Sequence, residues 1–577
     1  MSLVTLSLPD GIFRGATEYA SKGHWYDANL VRFRNGVKLP IGGWRERSAE
    51  TVSGVPRACH AWADSTLRGW IGAGTHSGLY VQSRGGTVTD ITPYGFVAGR
   101  ANATQGGGWG TGTWGRGTWG TRRRDVKGIL PANTWSLANW GENLVGIFDT
   151  GTKPVEWIPG VTAAPSPDTG TAQAGGATSI TLSAGSSAVN DAYVNYWIVI
   201  TGGTGVSGET RLITDYVGAS KVATVDRAWT TNPDATTTYE IRLSGAITNA
   251  PTGVGLCVTD ERFLMVIGAV YDDPAIGGGP LRVAWSDREN NKDWDAASTT
   301  NEAGFFDLTS DSELMTVVKV RGGVLILSRT DAFFGEYKGT QFVYGFERVG
   351  SNCGVVSRKA VTVINGVAYW RGVNGFYSFD GYVQPVKCDV WEYVRTSSNQ
   401  TQASKNWCMG NASNDEVWFF DCEGTSSEIT RYFYTNIRDN HWSVGQLSRT
   451  AGADVGVFRD PLMLSSTGTI YEHEVGLNYD GAIPYLESGP LELGNGDNSL
   501  TVTQFIPDER TEGQSTVTLK GKFWPNLAEF SSGPFSAASP ASVMFNARQV
   551  KVRFNGVSGQ DFRVGDFRFE VKQRGKR

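Results

Sequence analysis

Short apolar runs recur along this chain in one arrangement. Each run meets a Gly-containing turn and is answered by a second run ending in aromatic-x-aromatic or aromatic-Asp. Four consecutive copies are Gly322 to Tyr337, Gly366 to Asp380, Glu416 to Tyr434 and Pro461 to Tyr471. About seven copies can be followed, starting roughly 45 residues apart, the period of four-stranded propeller blades. Helical periodicity is nearly absent; its best instance is the short stretch Asp389 to Val394. The pattern predicts an all-β chain: a β-propeller of about six to seven blades, some irregular, with an inserted small β domain and a C-terminal β-sheet or sandwich.

The pattern also divides the chain. Residues 1–50 read as an N-terminal extended arm. Within it, Asn35-Gly36 between Val31–Arg34 and Val37–Leu39 predicts a type I′ hairpin. Residues 51–160 hold the first blades, with a hairpin over Arg68 to Val81 and a second unit over Trp135 to Asp149. Between them lies a Trp/Gly-rich loop, 106–124, with Trp109, Trp114 and Trp119 five residues apart, a spacing that suits neither strand nor helix. In residues 161–246 Ala, Thr, Ser and Gly dominate, and Phe, His, Cys and Met are absent. Five short strands are expected there, at Ser179–Leu182, Trp197–Thr201, Glu209–Tyr216, Lys221–Val225 and Thr238–Arg242. This is the inserted domain, and without it the flanking units return to blade spacing. Residues 247–480 carry the remaining blades and 481–577 the C-terminal β domain. There Val550, Val552 and Phe554 alternate with Lys551 and Arg553, the pattern of a half-buried strand.

Composition sharpens this picture. Gly numbers 74 and aromatics are plentiful (20 Trp, 20 Tyr, 26 Phe), while charged residues make up 19%. That profile suits β-structure with many tight turns. The net charge of −5 argues against a tight nucleic-acid binder, which would carry a basic excess. An acidic wall is compatible with a conduit past which DNA slides, because phosphate binding depends on Lys and Arg. Six cysteines (Cys59, Cys257, Cys353, Cys388, Cys408 and Cys422) include no CxxC pair, as expected of free thiols in a reducing cytoplasm. The N-terminus lacks a basic start and a long apolar core, and no run nears the roughly 18 apolar residues of a membrane span. A soluble protein made in the cytoplasm without Sec-type export is expected.

No catalytic constellation emerges. His24, His60, His76, His441 and His473 show no metal-ligand spacing, and no His, Cys and acid set supports nucleophilic catalysis. Trp285 to Trp294 partly matches the Ser-x-Asp-x-Gly-x-x-Trp box of sialidase-like propellers, but lacks the Gly and occurs once. Asp272/Asp273 and Glu472/Glu474 are the available acid pairs for a glycosidase. Gly494 to Asn498 suggests a calcium loop but lacks the remaining acidic ligands, so a turn is the simpler reading. No enzyme activity, cofactor or metal is expected. The Trp/Gly loop with Arg122, Arg123 and Arg124 allows a sharper role: closing a pore, stacking on nucleic acid or touching a membrane interface, against the plain alternative of a surface loop.

Several of these stretches resemble a known family. The run from Gly11 to Tyr19, then Trp25 to Phe33, then Pro40 to Trp44 is similar to the start of tail nozzle proteins of short-tailed bacteriophages, whose labels include tail tubular protein B-like and packaged-DNA stabilisation-like. The hairpin Gly74–Val81, the Trp-Gly repeat 109–120, Ser286-Asp287 and the ending 562–577 resemble the same family. The resemblance implies a propeller subunit in a homo-oligomeric ring, a hexamer, at the distal tail of the virion. Such a ring sits below the adaptor on the portal, retains packaged DNA, forms its exit channel and docks tail fibres or spikes. Double-stranded DNA would be touched only in transit. It implies no catalytic residue. In such a ring the aromatic residues Phe13, Tyr19, Trp25, Tyr26 and Trp44 would anchor the arm to neighbours. Two alternatives of other classes stand beside it: a carbohydrate-binding adhesin for the host surface, and a propeller glycosidase.

Overall fold

A computed structural model describes residues 2–15, 17–105, 128–163, 166–339, 342–492, 498–508 and 515–575. Seven four-stranded antiparallel sheets follow the repeats seen in the sequence. Their innermost strands are Pro56–Ala63, Trp135–Trp140, Gly255–Val258, Leu314–Val320, Val361–Ile364, Trp407–Asn411 and Ala451–Ala453. Each lies against the innermost strand of the next blade, and the seventh returns to the first. The chain is therefore a seven-bladed β-propeller. Apolar side chains from both faces of each blade fill the spaces between blades. Met265, Ile267, Val324 and Ile326, for example, pack together between blades three and four. The short helix falls at Trp391–Ser397, in the connection between blades five and six.

The insertion interrupts blade two between its third strand, Val155–Trp157, and its fourth, Ser244–Ala246. Ser244–Ala246, placed by the sequence inside the insertion, thus belongs to the propeller. The inserted domain is one seven-stranded sheet folded over its own core, with Ile180, Ile198, Ile213, Tyr239 and Ile241 buried. Its two additional strands, Thr169–Thr171 and Ala174–Gly176, are short, Gly-bearing and at the sheet edges, so no alternation announced them.

Residues 1–50 are not an extended arm. Ser2–Leu6 pairs with Phe567–Gln573, and Trp25–Asn29 pairs with Tyr485–Ser488. The C-terminal domain is thereby a two-sheet sandwich that borrows one strand per sheet from the start of the chain. Val502, Phe505, Leu519, Phe545, Val552 and Phe569 form its core, continuous with the packing around blades five and six. The reason is in the apolar content: Trp25, Ala28, Val31 and Phe33 are all buried, and an isolated arm would leave them in water. The Asn35-Gly36 turn forms as expected, with φ of 51° and 76° between Val31–Arg34 and Val37–Pro40.

The same segment then closes the ring. Trp44–Glu46 pairs with Ile470–His473 as the fourth strand of blade seven. Gly42 and Gly43 let it arrive. A Cβ on Gly42 would come within 2.4 Å of the Glu474 Cα, and one on Gly43 within 2.5 Å of the Asn478 nitrogen. One buried ion cluster secures the junction. Arg32 donates through Nη2 to Glu416 of blade six at 2.8 Å and to Glu474 at 2.7 Å, and Glu474 also accepts from the Gly42 amide at 3.0 Å. Breaking a buried pair by removing one partner costs about 3–5 kcal/mol, whereas an exposed pair contributes about 0–1 kcal/mol. Arg32→Met is therefore expected to lower the urea-unfolding free energy, followed by Trp fluorescence, by the larger amount. Arg45→Met, at the exposed Arg45–Glu472 pair, should fall in the smaller range. Equal effects would refute this account of the closure.

Candidate functional site

The ring of innermost strands encloses a central channel, and two cavities lie along it. The first, about 610 Å³, sits at the mouth framed by residues that precede these strands, among them Asn133, Glu313, Ser357 and Gln400. The second, about 510 Å³, lies among the strands themselves and includes His60, Asn139, Thr259 and Lys359. Arg358 belongs to the wall of both. It enters from the connection between blades four and five, gives Nη1 to the Met315 carbonyl at 2.7 Å, and faces Asp149 of blade two at 3.4 Å. Asp149 also accepts from Asn133 Nδ2 at 2.8 Å. Burial raises the Asp149 carboxyl above its ordinary value, with Arg358 opposing the shift.

The mouth is crossed by the connection from blade one to blade two. Gln402 exchanges two hydrogen bonds with the Ala103 backbone, at 3.0 and 2.9 Å, and Ser404 accepts from the Ala132 amide at 3.0 Å. Arg57 reaches the Ala101 carbonyl at 2.9 Å while paired with Glu428 at 2.7 Å. The connection is thus lashed to residues 400–404, between blades five and six. Thr104–Gln105 pairs with Ile129–Leu130 as a two-stranded stem over this mouth. Trp109, Trp114, Trp119, Arg122, Arg123 and Arg124 lie outside the described residues, as does most of the Gly494–Asn498 turn.

Deeper in the channel the chemistry is cationic. Lys359 has no ion pair or hydrogen bond at Nζ among the described residues, and burial pulls its ammonium down to about 8. Burial also drives the Cys59 thiol up to about 12 and the His60 imidazole down to about 4. His60 is therefore neutral near pH 7, with Nε2 donating to Asn139 Oδ1 at 3.1 Å.

The other residues singled out from sequence are dispersed. Trp25 and Trp44 are buried within the chain, Trp44 donating to Asp480 at 2.5 Å. Phe13 packs on His24 and Tyr26 receives Arg14, both half-buried. Tyr19 is exposed and bonds Glu492 at 2.9 Å. Glu472 serves Arg45 and Arg47, Glu474 serves Arg32, Asp272 pairs with Lys153, and Asp273 caps a turn. Among the described residues no group of three or more His, Cys, Asp or Glu is placed to hold a metal, and all six cysteines are free. Arg358 and Lys359 were missed from sequence. Their only signal was an adjacent basic pair just before an innermost strand in a charge-poor chain.

No family model and no curated protein matches this chain. Solved structures share its architecture distantly. Virginiamycin B lyase from Staphylococcus aureus is 7% identical with a TM-score of 0.36, over 76% of this chain and 99% of that one. BamB from Moraxella catarrhalis is 9% identical with a TM-score of 0.32, over 82% and 98%. A glycoside hydrolase is 10% identical with a TM-score of 0.20, over 95% and 97%. None of these names is that of a phage tail protein, and no functional argument rests on likenesses this remote.

Lys359 makes a pH prediction. Between about pH 8 and the ordinary lysine value of 10.5 the unfolded chain holds more protons, so this group's contribution to stability rises with pH through that window. Below about 8 the full cost of burying the charge is present. Lys359→Met is therefore expected to raise Tm at pH 7 in chloride buffer, with the gain shrinking as pH rises towards 10. A variant that is equally destabilised at both pH values would overturn the assignment of an uncompensated charge.

Proposed function

We propose that this protein is a structural component of a phage virion, the distal tail nozzle, and not an enzyme. One observation carries the reading: the N-terminal motif that resembles nozzle proteins forms the closing element of this fold. Trp25 anchors the sandwich, Arg32 ties the hairpin to blade six, and Gly42-Gly43-Trp44 completes blade seven. A chain whose first strands are built into both its sandwich and its propeller resists unravelling under load, which suits a conduit for pressurised DNA. The state of the histidines fits a scaffold. His60, His76, His441 and His473 are held below their ordinary value, burial being the chief cause, and each packs against or bonds to neighbouring side chains or backbone.

In this reading the protein assembles as a homo-oligomeric ring, a hexamer, beneath the tail adaptor. It contacts double-stranded DNA in passage and carries fibres or spikes on its outer surface. Immunogold electron microscopy of purified phage particles, with antibody to this chain, tests it. Label at the tail tip is expected. Unlabelled particles with the protein free in the lysate would exclude the virion role and leave the adhesin and glycosidase, to be separated by glycan arrays and aryl-glycoside substrates.

A further inference from the structure

The channel holds a positive charge that the fold does not use. A half-buried ammonium such as that of Lys359 is costly unless something compensates it. Lys359 lies in the 510 Å³ cavity, which no Asp or Glu lines. The charged groups around it can be counted in pairs. Arg358 is matched by Asp149, and Lys319, on the same wall, by Asp260 at 2.9 Å. His60 is neutral near pH 7, and the Cys59 thiol is protonated. Two cations remain, half-buried Lys359 from the connection entering blade five and exposed Arg262 from the hairpin of blade three, and neither has an ion-pair partner among the described residues. The same wall offers the Thr259 hydroxyl and the His60–Asn139 pair, while the Ser136 hydroxyl donates to the Leu256 carbonyl at 2.9 Å. The volume falls in the range of small-molecule sites, about 300–1,000 Å³.

We propose that this cavity binds a small dianionic ligand bearing a terminal phosphate, with Lys359 and Arg262 as the two charge partners. Two cations without an ion-pair partner among the described residues match the two charges of a phosphate monoester. Lys supplies a point charge, Arg a fork, and the Thr259 hydroxyl, which accepts from Tyr344 at 2.9 Å, keeps its own proton to donate to a phosphate oxygen. The inference does not depend on the role of the protein in a virion. It explains a feature that a purely mechanical scaffold leaves without purpose. A phosphodiester offers one charge per phosphate, so it matches the two cations less well than a phosphate monoester.

The full chain, purified in chloride at pH 8, is treated with acetic anhydride with and without inorganic phosphate at about 10 mM, tenfold above a millimolar Kd, at constant ionic strength. Acylation at Lys359 is read by mass spectrometry. Bound phosphate should cut that acylation at least fivefold while leaving exposed lysines such as Lys387 unchanged. A nucleoside 5′-monophosphate should protect as well, and a single-stranded oligonucleotide without terminal phosphate should not. In a parallel thermal melt phosphate should raise the wild-type Tm. The shift should vanish in Lys359→Met and weaken severalfold in Arg262→Gln. Equal acylation with and without phosphate would overturn the proposal, as would a phosphate shift that persists undiminished in Lys359→Met. Protection by the oligonucleotide alone would replace the small ligand with a nucleic-acid backbone and equally refute it. If Lys359→Met fails to fold, the labelling of wild-type protein still decides.

Discussion

Everything in this molecule depends on one junction, where Arg32, Glu416 and Glu474 meet beneath the closing strand of the ring. A propeller is a sheet array bent into a circle, and its last blade must be joined to its first. Here the chain brings its beginning back to supply the fourth strand of blade seven, passing Gly42 and Gly43 over the Glu474 and Asn478 backbone. The Arg32 guanidinium fixes the depth of that strand by binding two carboxylates at once, one from blade six and one from the segment leaving blade seven. Because Trp25–Asn29 and Ser2–Leu6 complete the two sheets of the sandwich, the same segment couples sandwich to propeller. Neither can loosen without the other.

Closure gives the channel its character. Seven short strands held edge to edge leave an axial space whose walls mix apolar, hydroxyl and charged side chains, and a charge partly withdrawn from bulk water there acts more strongly than at the surface. Arg358 spans from blade five to the Met315 carbonyl and Asp149, and Lys359 follows it into the deeper cavity. The stem at Thr104–Gln105 and Ile129–Leu130 crosses the opposite end, tied down by Gln402 and Ser404. The axis is thus a chambered interior with one spanned mouth.

The sequence revealed local structure well and long-range pairing poorly. Hairpins are announced by neighbours, so the repeats, the Asn35-Gly36 turn and five strands of the insertion could be read directly. Residues 1–50 could not be placed, because the partners of Ser2–Leu6 and Trp44–Glu46 lie more than four hundred residues away and no local pattern names them. Their burial was nonetheless foreshadowed by Trp25, Val31, Phe33 and Trp44, large apolar side chains in a segment read as exposed. For the cavity the obstacle was different. Which basic residue of a blade points to the axis depends on which strand is innermost, and the two residues that matter sit in a connection rather than a strand.

Buried ion clusters in this fold concentrate where segments distant in sequence must choose a register. Arg371 and Arg431 converge on Asp421 at 2.9 and 2.8 Å, joining blade five to blade six, with all three side chains almost wholly buried. Arg57 and Lys405 share Glu428, joining blade one to the connection that supports the mouth. Apolar packing of equal volume would give as much stability or more. Seven similar meanders, however, offer many near-equivalent apolar pairings, and a one-residue slip in any of them turns a strand over. A buried guanidinium tolerates no such slip, since displacement would leave it facing hydrocarbon. We read these clusters as devices that trade stability for a single arrangement of blades. Lys359 joins blade six only through its backbone, its carbonyl accepting from the Cys408 amide at 2.9 Å, while its side chain pairs with no carboxylate among the described residues, and that difference separates a group kept for the fold from one kept for a ligand.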